Sequence, residues 1–123
     1  MTAPNLLSPT TITGETAGTN LSTTTATAVL NNPANSGKCL KVNTLNVSNS
    51  TGAAASITIS YNNAQNISGT DFIIVGSLVV PAYATITVID KLSQYYLKEN
   101  SSLEAIASAA NVLSVTISYE DIS

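Results

Sequence analysis

Apolar residues alternate with serine and threonine in two copies of one short pattern. Residues 56–61 read Ser-Ile-Thr-Ile-Ser-Tyr, and residues 114–119 read Ser-Val-Thr-Ile-Ser-Tyr. A period of two residues is typical of a β-strand with one buried and one solvated face. Each copy follows another strand-like run and a turn of small residues, so the repeat predicts that one hairpin occurs twice. The predicted core positions in the two copies are Ile57, Ile59, Val115 and Ile117.

Strand signals recur at short intervals from residue 21 onward, separated by turns rich in Asn, Gly, Pro and Ser. No segment has a convincing helical period, and the alanine-rich stretch 105–113 is assigned to strand and turn because it matches the other copy of the repeat. The predicted strands are 25–30, 39–48, 55–62, 71–80, 84–90, 95–98, 103–108 and 112–120. About eight short strands predict an all-β fold, a single antiparallel β-sandwich of jelly-roll or immunoglobulin-like type.

Residues 1–20 have a different composition from the rest of the chain. They are rich in Thr, Gly, Pro and Asn, and their apolar anchors are few (Leu6, Leu7 and Ile12). Such a segment cannot build a core of its own. We therefore predict an extended N-terminal arm at residues 1–20 and a β-sandwich domain at residues 21–123. If the arm is ordered, we expect a neighbouring chain to hold it.

Charge is scarce. The 123 residues carry a formal net charge of −3, only 9% of them are charged, and Arg and His are absent. Polarity comes from Thr, Ser and Asn, whose side chains bond readily to nearby backbone groups. Without a basic stripe we expect no nucleic-acid partner. Because no run of eighteen apolar residues and no signal-peptide pattern occurs, we expect neither membrane insertion nor secretion by that route.

The residue types in the chain give little support for a catalytic or metal-binding site. Serine-protease-like catalysis needs a histidine, and metal sites need His, Cys or clustered acids. Cys39 is the single cysteine, and we interpret it as a buried structural thiol. Glu120 and Asp121 are the one adjacent acidic pair, interpreted as a solvated chain end, with a weak calcium contact as the alternative. We predict no catalytic, cofactor-binding or metal-binding residues and no enzyme activity, although spacing alone leaves paired carboxylates of the glycosidase type open.

The tyrosines divide into two groups. Tyr61 and Tyr119 end the two repeated strands on the same face as the Ile and Val residues, so we expect them at equivalent core positions. Tyr95 and Tyr96 are adjacent on a predicted strand and cannot both face inward. One of them is therefore expected at the surface, where tyrosine is a common interface residue.

The second half of the chain resembles small structural proteins of tailed bacteriophages, especially phages of marine and freshwater bacteria, including cyanophages. Three segments carry the resemblance. They are Val-Ser-Asn-Ser-Thr-Gly-Ala-Ala-Ala-Ser-Ile-Thr-Ile-Ser-Tyr at 47–61, Val-Pro-Ala-Tyr-Ala-Thr-Ile at 80–86, and the run from 97 through Ser-Tyr-Glu-Asp-Ile-Ser at 118–123. The match covers about residues 21–123. It departs at 98–101, where the pattern usually has a glycine turn, and residues 1–20 match nothing in it.

The resemblance implies a virion component, assembled in the host bacterial cytoplasm. We expect a capsid decoration (cement) protein that binds the outer capsid lattice and stabilises it. Its partner would be the major capsid protein, with residues 1–20 as the contact arm, and it would be a homo-oligomer such as a trimer. The alternatives are a neck, collar or tail-appendage protein bound to a neck or tail protein, and, from another class, a carbohydrate-binding module. The last would need exposed aromatic platforms, and the chain has no Trp.

Overall fold

The computed structural model describes residues 6–123 as two antiparallel sheets that pack face to face. The all-β sandwich predicted from the sequence is confirmed. In the described part of the chain the strands are β1 (Ile12–Asn20), β2 (Thr27–Asn32), β3 (Cys39–Asn49), β4 (Ala55–Asn62), β5 (Asp71–Val80), β6 (Thr85–Ile89), β7 (Tyr95–Leu97), β8 (Ser101–Ala107) and β9 (Leu113–Ile122), and one 3₁₀ turn spans Gln65–Ile67. Each of the eight predicted strands has a counterpart among them.

The order of the strands identifies which kind of sandwich this is. The first sheet has the order β1-β9-β3-β6, and the second has the order β2-β8-β4-β5. This is the arrangement of an eight-stranded jelly roll, one of the two alternatives that the sequence left open. Strand β7 also pairs with β3, at Leu40–Val42, while β6 pairs with β3 farther along, at Leu45–Ser48. Strands β6 and β7 are thus two halves of one interrupted edge.

The core lies between the two sheets. The four alternating positions of the repeat are at most 1% exposed, which confirms the prediction for Ile57, Ile59, Val115 and Ile117. Leucine, valine and isoleucine side chains from both sheets surround them. The other large, fully buried side chains are Leu21, Val42, Leu45, Val47, Val80, Ile89, Leu97, Leu103 and Leu113.

The sequence repeat folds differently from the prediction. Strands β3 and β4 belong to different sheets, and so do β8 and β9, so neither pair is a hydrogen-bonded hairpin. Each copy is an arch that crosses the sandwich. The two arches interlock, because β3 pairs with β9 and β4 pairs with β8. The hairpin prediction is therefore wrong. Period-two alternation marks one buried face, and a strand pair joined by an arch has the same alternation as a hairpin.

The residues predicted as an N-terminal arm are divided in the structure. Residues 12–20 form β1, which pairs along its whole length with β9, from Ile12 opposite Ile122 to Asn20 opposite Ser114. The sandwich therefore includes this stretch, held by its own chain rather than by a neighbour. Residues 1–5 lie outside the described residues. The side chains of β1 are mostly exposed, so backbone pairing rather than burial fixes it.

Three buried asparagines end strands and organise the loops that follow. Asn32, Asn49 and Asn62 are the last residues of β2, β3 and β4, and all three are almost completely buried. Nδ2 of Asn49 donates to the carbonyl oxygens of Ala53 and Val80, at 2.7 and 3.2 Å. Its Oδ1 accepts from the backbone N–H and the hydroxyl of the residue two positions on. Asparagine here replaces missing backbone partners, as the uncharged polar composition suggested.

Candidate functional site

Aromatic side chains line an open cleft at one side of the sandwich. Tyr61 of β4 and Phe72, Ile73 and Ile74 of β5 come from the second sheet, and the adjacent tyrosines of β7 come from the first. The cleft encloses about 350 Å³, and we call it the aromatic cleft. The rings of Tyr61 and Phe72 lie 6.2 Å apart at an interplanar angle of 33°. The volume is at the lower end of the range for small-ligand sites.

Both sheets contribute because β5 and β7 each lie at the edge of their sheet. The tyrosines of β7 are 37% (Tyr95) and 51% (Tyr96) exposed. The expectation that at least one of them is exposed is confirmed, and both are at the surface. Tyr61 and Tyr119 are half-buried and pack against the core, in agreement with the core prediction. No pattern in the sequence predicts the cleft, because its residues come from three separate strands.

Strand β5 is the apolar wall of the cleft, and it is unusually exposed. Phe72 is 54% exposed and the next residue, Ile73, is 68% exposed, so neighbouring residues on opposite faces are both open to solvent. The pairing with β4 shifts register twice, and Ser77 has a φ of 49°. The Ser77 N–H donates to Oγ1 of Thr58 at 3.0 Å. The strand is therefore bulged at residue 74 and again at 76–77, and only residues 71–73 and 78–80 pair with β4 in regular register.

A carboxyl pair with one buried and one exposed member lies on the outward face of the second sheet. Glu104 of β8 is only 3% exposed, and its carboxyl group is hydrogen-bonded to that of Asp71 at the start of β5. Oδ1 of Asp71 also accepts from Nδ2 of Asn62 at 2.6 Å. Burial, followed by the hydrogen bond and the charge of Asp71, raises the pKa of Glu104 to about 7. Near neutral pH Glu104 can therefore hold a proton.

The carboxyl pair was not predicted, although one signal was available. Glu104 interrupts the otherwise apolar run Leu-Glu-Ala-Ile of a predicted strand. The two carboxyl groups are in hydrogen-bond contact, whereas the acids of glycosidases stand about 5 Å or more apart to flank a sugar bond. The geometry thus suits a structural contact between β8 and β5.

The other candidate residues lie around the pairing of β3 with β9. Cys39 is buried at the start of β3, as predicted, and burial raises the pKa of its thiol. Nζ of Lys38 lies 3.0 Å from a carboxylate oxygen of Asp121, and Nζ of Lys41 lies 3.6 Å from one of Glu120. The acidic pair is therefore half-buried and matched by lysines across the sheet, rather than a solvated chain end. These ion pairs occupy the carboxylates that the calcium alternative would use.

Residues 6–123 contain no group of three or more His, Cys, Asp or Glu side chains placed to hold a metal ion. In the same part of the chain, no helix has the length and apolar character that crossing a membrane requires.

Comparison with known proteins gives no assignment. The chain matches no family model, and no curated protein matches it either.

Proposed function

We propose that this protein is a structural component of a phage virion, a decoration (cement) protein that binds the outer capsid lattice and stabilises it. The observation that carries the proposal is the exposed apolar surface of the aromatic cleft on a small sandwich with few charges. The resemblance of residues 21–123 to phage structural proteins supports it independently.

The surface chemistry suits attachment to another protein. Tyrosine is enriched among the few side chains that supply most of the binding free energy at protein interfaces. Uncharged Thr, Ser and Asn side chains around them are cheaper to bury with a partner than charged ones. A ligand that binds only the expanded capsid adds its binding free energy to the stability of that state by mass action. A cement protein therefore needs many copies and a complementary binding surface, and it needs no catalytic site.

Part of the proposed contact arm has hydrogen-bond partners within its own chain. The backbone N–H groups of Thr10 and Thr11 donate to the carbonyl oxygen of Ser123, at 2.6 and 2.9 Å, and β1 begins one residue later. From residue 10 onward the segment is engaged with its own sheet.

The first test is the copy number of the chain in purified virions of its source, measured by quantitative mass spectrometry against the major capsid protein. We expect hundreds of copies in a simple ratio to the capsid subunit. A dozen or fewer copies would assign the chain to the neck or tail instead. Absence from the particle would refute the virion proposal.

A glycan-binding function is the second candidate, favoured by the aromatic cleft. Tyr95 and Tyr96 present exposed rings of the kind on which sugar faces stack, although the chain has no Trp. The test is binding to a glycan array, with Tyr96→Ala as the cleft variant. Tyr83→Ala is the matched control, because that tyrosine is 77% exposed but lies outside the cleft. Glycan binding lost only in Tyr96→Ala would favour this function over capsid attachment.

A further inference from the structure

We infer that Glu104 and Asp71 form a proton-dependent clamp, which fixes the first three residues of β5 while Glu104 is protonated and releases them when it loses the proton. Two of these three residues, Phe72 and Ile73, line the aromatic cleft. The inference therefore assigns a regulatory device to the cleft, and it holds whether or not the protein belongs to a virion.

The second sheet places the only two charges of its strands next to each other. Strands β2 and β4 have no charged residue, β5 has only Asp71, and β8 has only Glu104. Strand β4 separates β5 from β8 in the sheet, yet the two carboxyl groups are hydrogen-bonded to each other across it. An ionised carboxylate can only accept hydrogen bonds, so this contact requires one of the two acids to carry a proton.

The other neighbours of Glu104 are uncharged. Ser60 of β4 and Ala28 of β2 lie directly opposite it in the two strand pairings. Segment 63–70, which is hydrogen-bonded to Ser102 of the same strand, has no charged residue. Within the described residues, neither acid of the clamp forms an ion pair with a lysine. No cation therefore offsets the repulsion that follows when Glu104 loses its proton and both carboxylates are negative.

The start of β5 can open without the rest of the strand. Its regular pairing with β4 covers residues 71–73, between the loop that ends at residue 70 and the bulge at residue 74. In the described part of the chain no other strand is hydrogen-bonded to β5. A short edge segment of this kind opens locally, at a lower free energy than the whole fold. Besides the strand pairing, Asp71 has two attachments, to Nδ2 of Asn62 and to Glu104, and only the second depends on a proton.

Release of residues 71–73 changes the aromatic cleft directly. Phe72 follows Asp71 in the chain, and its ring lies 6.2 Å from the ring of Tyr61. Ile73 is the next residue, and both side chains line the cleft. The shape of the cleft therefore depends on where this segment lies. A change of charge at Glu104 biases an element that has a closed and an open position, which is how pH-sensitive switches operate.

The direction of the pH dependence follows from the two environments of Glu104. In the closed form burial and Asp71 raise its pKa to about 7, whereas in the open form water restores the ordinary pKa of 4.5. The closed form thus binds the proton more tightly. The equilibrium constant for opening should rise by up to about tenfold per pH unit between these two values and level off above about pH 7. Because Asp71 is exposed, solvent screens part of the repulsion, and we expect a rise of at least about tenfold from pH 5 to pH 7.

The test is amide hydrogen exchange of the full ¹⁵N-labelled chain, followed by NMR between pH 5 and pH 8 and corrected for the intrinsic exchange rate at each pH. In the wild type, the amides of residues 71–73 that bond to β4 should show the tenfold rise in their opening constant. Glu104→Gln keeps a hydrogen-bond donor but cannot titrate, so its opening constant should stay near the low-pH value. Asp90→Asn removes an exposed acid in another turn and should retain the wild-type rise.

Asp71→Asn is a second variant that does not alter a buried group. Its amide can donate to an ionised Glu104 and can still accept from Asn62, so residues 71–73 should stay closed at pH 8. Circular dichroism shows whether each variant is folded. A wild-type opening constant that does not change with pH would overturn the inference, as would a rise that persists in Glu104→Gln or in Asp71→Asn. Opening constants in residues 71–73 equal to those at the centre of β4 would also overturn it, because the segment would then open only with the whole molecule.

Discussion

At the scale of single residues, the polar side chains that matter most are those without contact with solvent. Asn32, Asn49 and Asn62 each use their amide to complete the hydrogen bonding of a loop, and Glu104 is held by a second acid. The composition correctly indicated that amide and hydroxyl groups would serve the backbone. It could not indicate which asparagines would be buried, because their burial depends on the neighbouring segments that pack against them.

Asn49→Ala should destabilise the fold by about 2–3 kcal/mol, because buried carbonyl oxygens and an N–H group would lose their partners. Asn46→Ala is the matched control on the same strand. Its side chain makes an exposed hydrogen bond with Thr87, so we expect a change within about 0.5 kcal/mol. Urea denaturation followed by circular dichroism measures both. Equal losses in the two variants would contradict the role assigned to Asn49.

Glu104→Gln should remove a pH dependence from the stability of the fold. The pKa of Glu104 in the folded protein is about 7, above its ordinary value of 4.5. The folded state therefore binds this proton more tightly than the unfolded state does. The stability that the protonated group contributes is complete below about pH 4.5 and is lost as the pH rises to about 7.

We therefore expect the wild type to lose stability between pH 5 and pH 8, and the glutamine variant to lose less of it. At pH 8 the variant should be the more stable of the two, by on the order of 1 kcal/mol given partial screening at the sheet surface. Chemical denaturation at a series of pH values gives the comparison. Asp90→Asn, in an exposed turn, should retain the wild-type slope. An unchanged slope in Glu104→Gln would count against the carboxyl pair.

At the scale of secondary-structure elements, the sequence predicts the strands in which apolar and polar residues alternate. It does not predict β1, which lacks this alternation. Strands β4 and β9 have one apolar face each, and their positions follow from period two. Strand β1 is rich in Thr and Gly and contributes no large side chain to the core, so no pattern distinguishes it from an arm. What holds β1 in place is hydrogen bonding to the edge of β9. That edge exists only after the rest of the sheet has formed.

Deletion of residues 1–9 should leave the thermal stability of the protein nearly unchanged, while deletion of residues 1–20 should lower it and promote aggregation. The longer deletion removes β1 and opens the edge of β9, and an unprotected edge recruits other chains. Thermal unfolding and light scattering measure the two effects. If both truncated proteins behave alike, the pairing of β1 with β9 contributes little.

At the scale of the whole molecule, the sequence predicts a sandwich but not how its strands are shared between the sheets. Hairpins and arches have the same alternation, so the choice between jelly-roll and immunoglobulin-like topology depends on contacts between distant segments. The aromatic cleft also depends on contacts between distant segments, so the sequence does not predict it. Residue 61 meets residue 72 across a strand pair, but the tyrosines of β7 reach them only through the packing of one sheet on the other.

Folding should be slow for a chain of this size, in the range of milliseconds to seconds, because the closing pairs join distant parts of the sequence. Strand β1 pairs with β9, and β2 pairs with β8. Each of these pairings closes a long loop before it gains hydrogen bonds. Stopped-flow refolding from urea measures the rate. Complete refolding in microseconds would be inconsistent with this topology.

The antiparallel pairing of β1 with β9 also determines how the molecule responds to mechanical force. Thr11 and Ser123 are hydrogen-bonded to each other at the same end of the ladder. A pull that separates residue 11 from residue 123 would load the hydrogen bonds one after another, as in peeling, rather than all together, as in shearing. Tension applied at that end would therefore open the sheet at low force, whereas a load transmitted through the faces of the sandwich would be shared by the whole core.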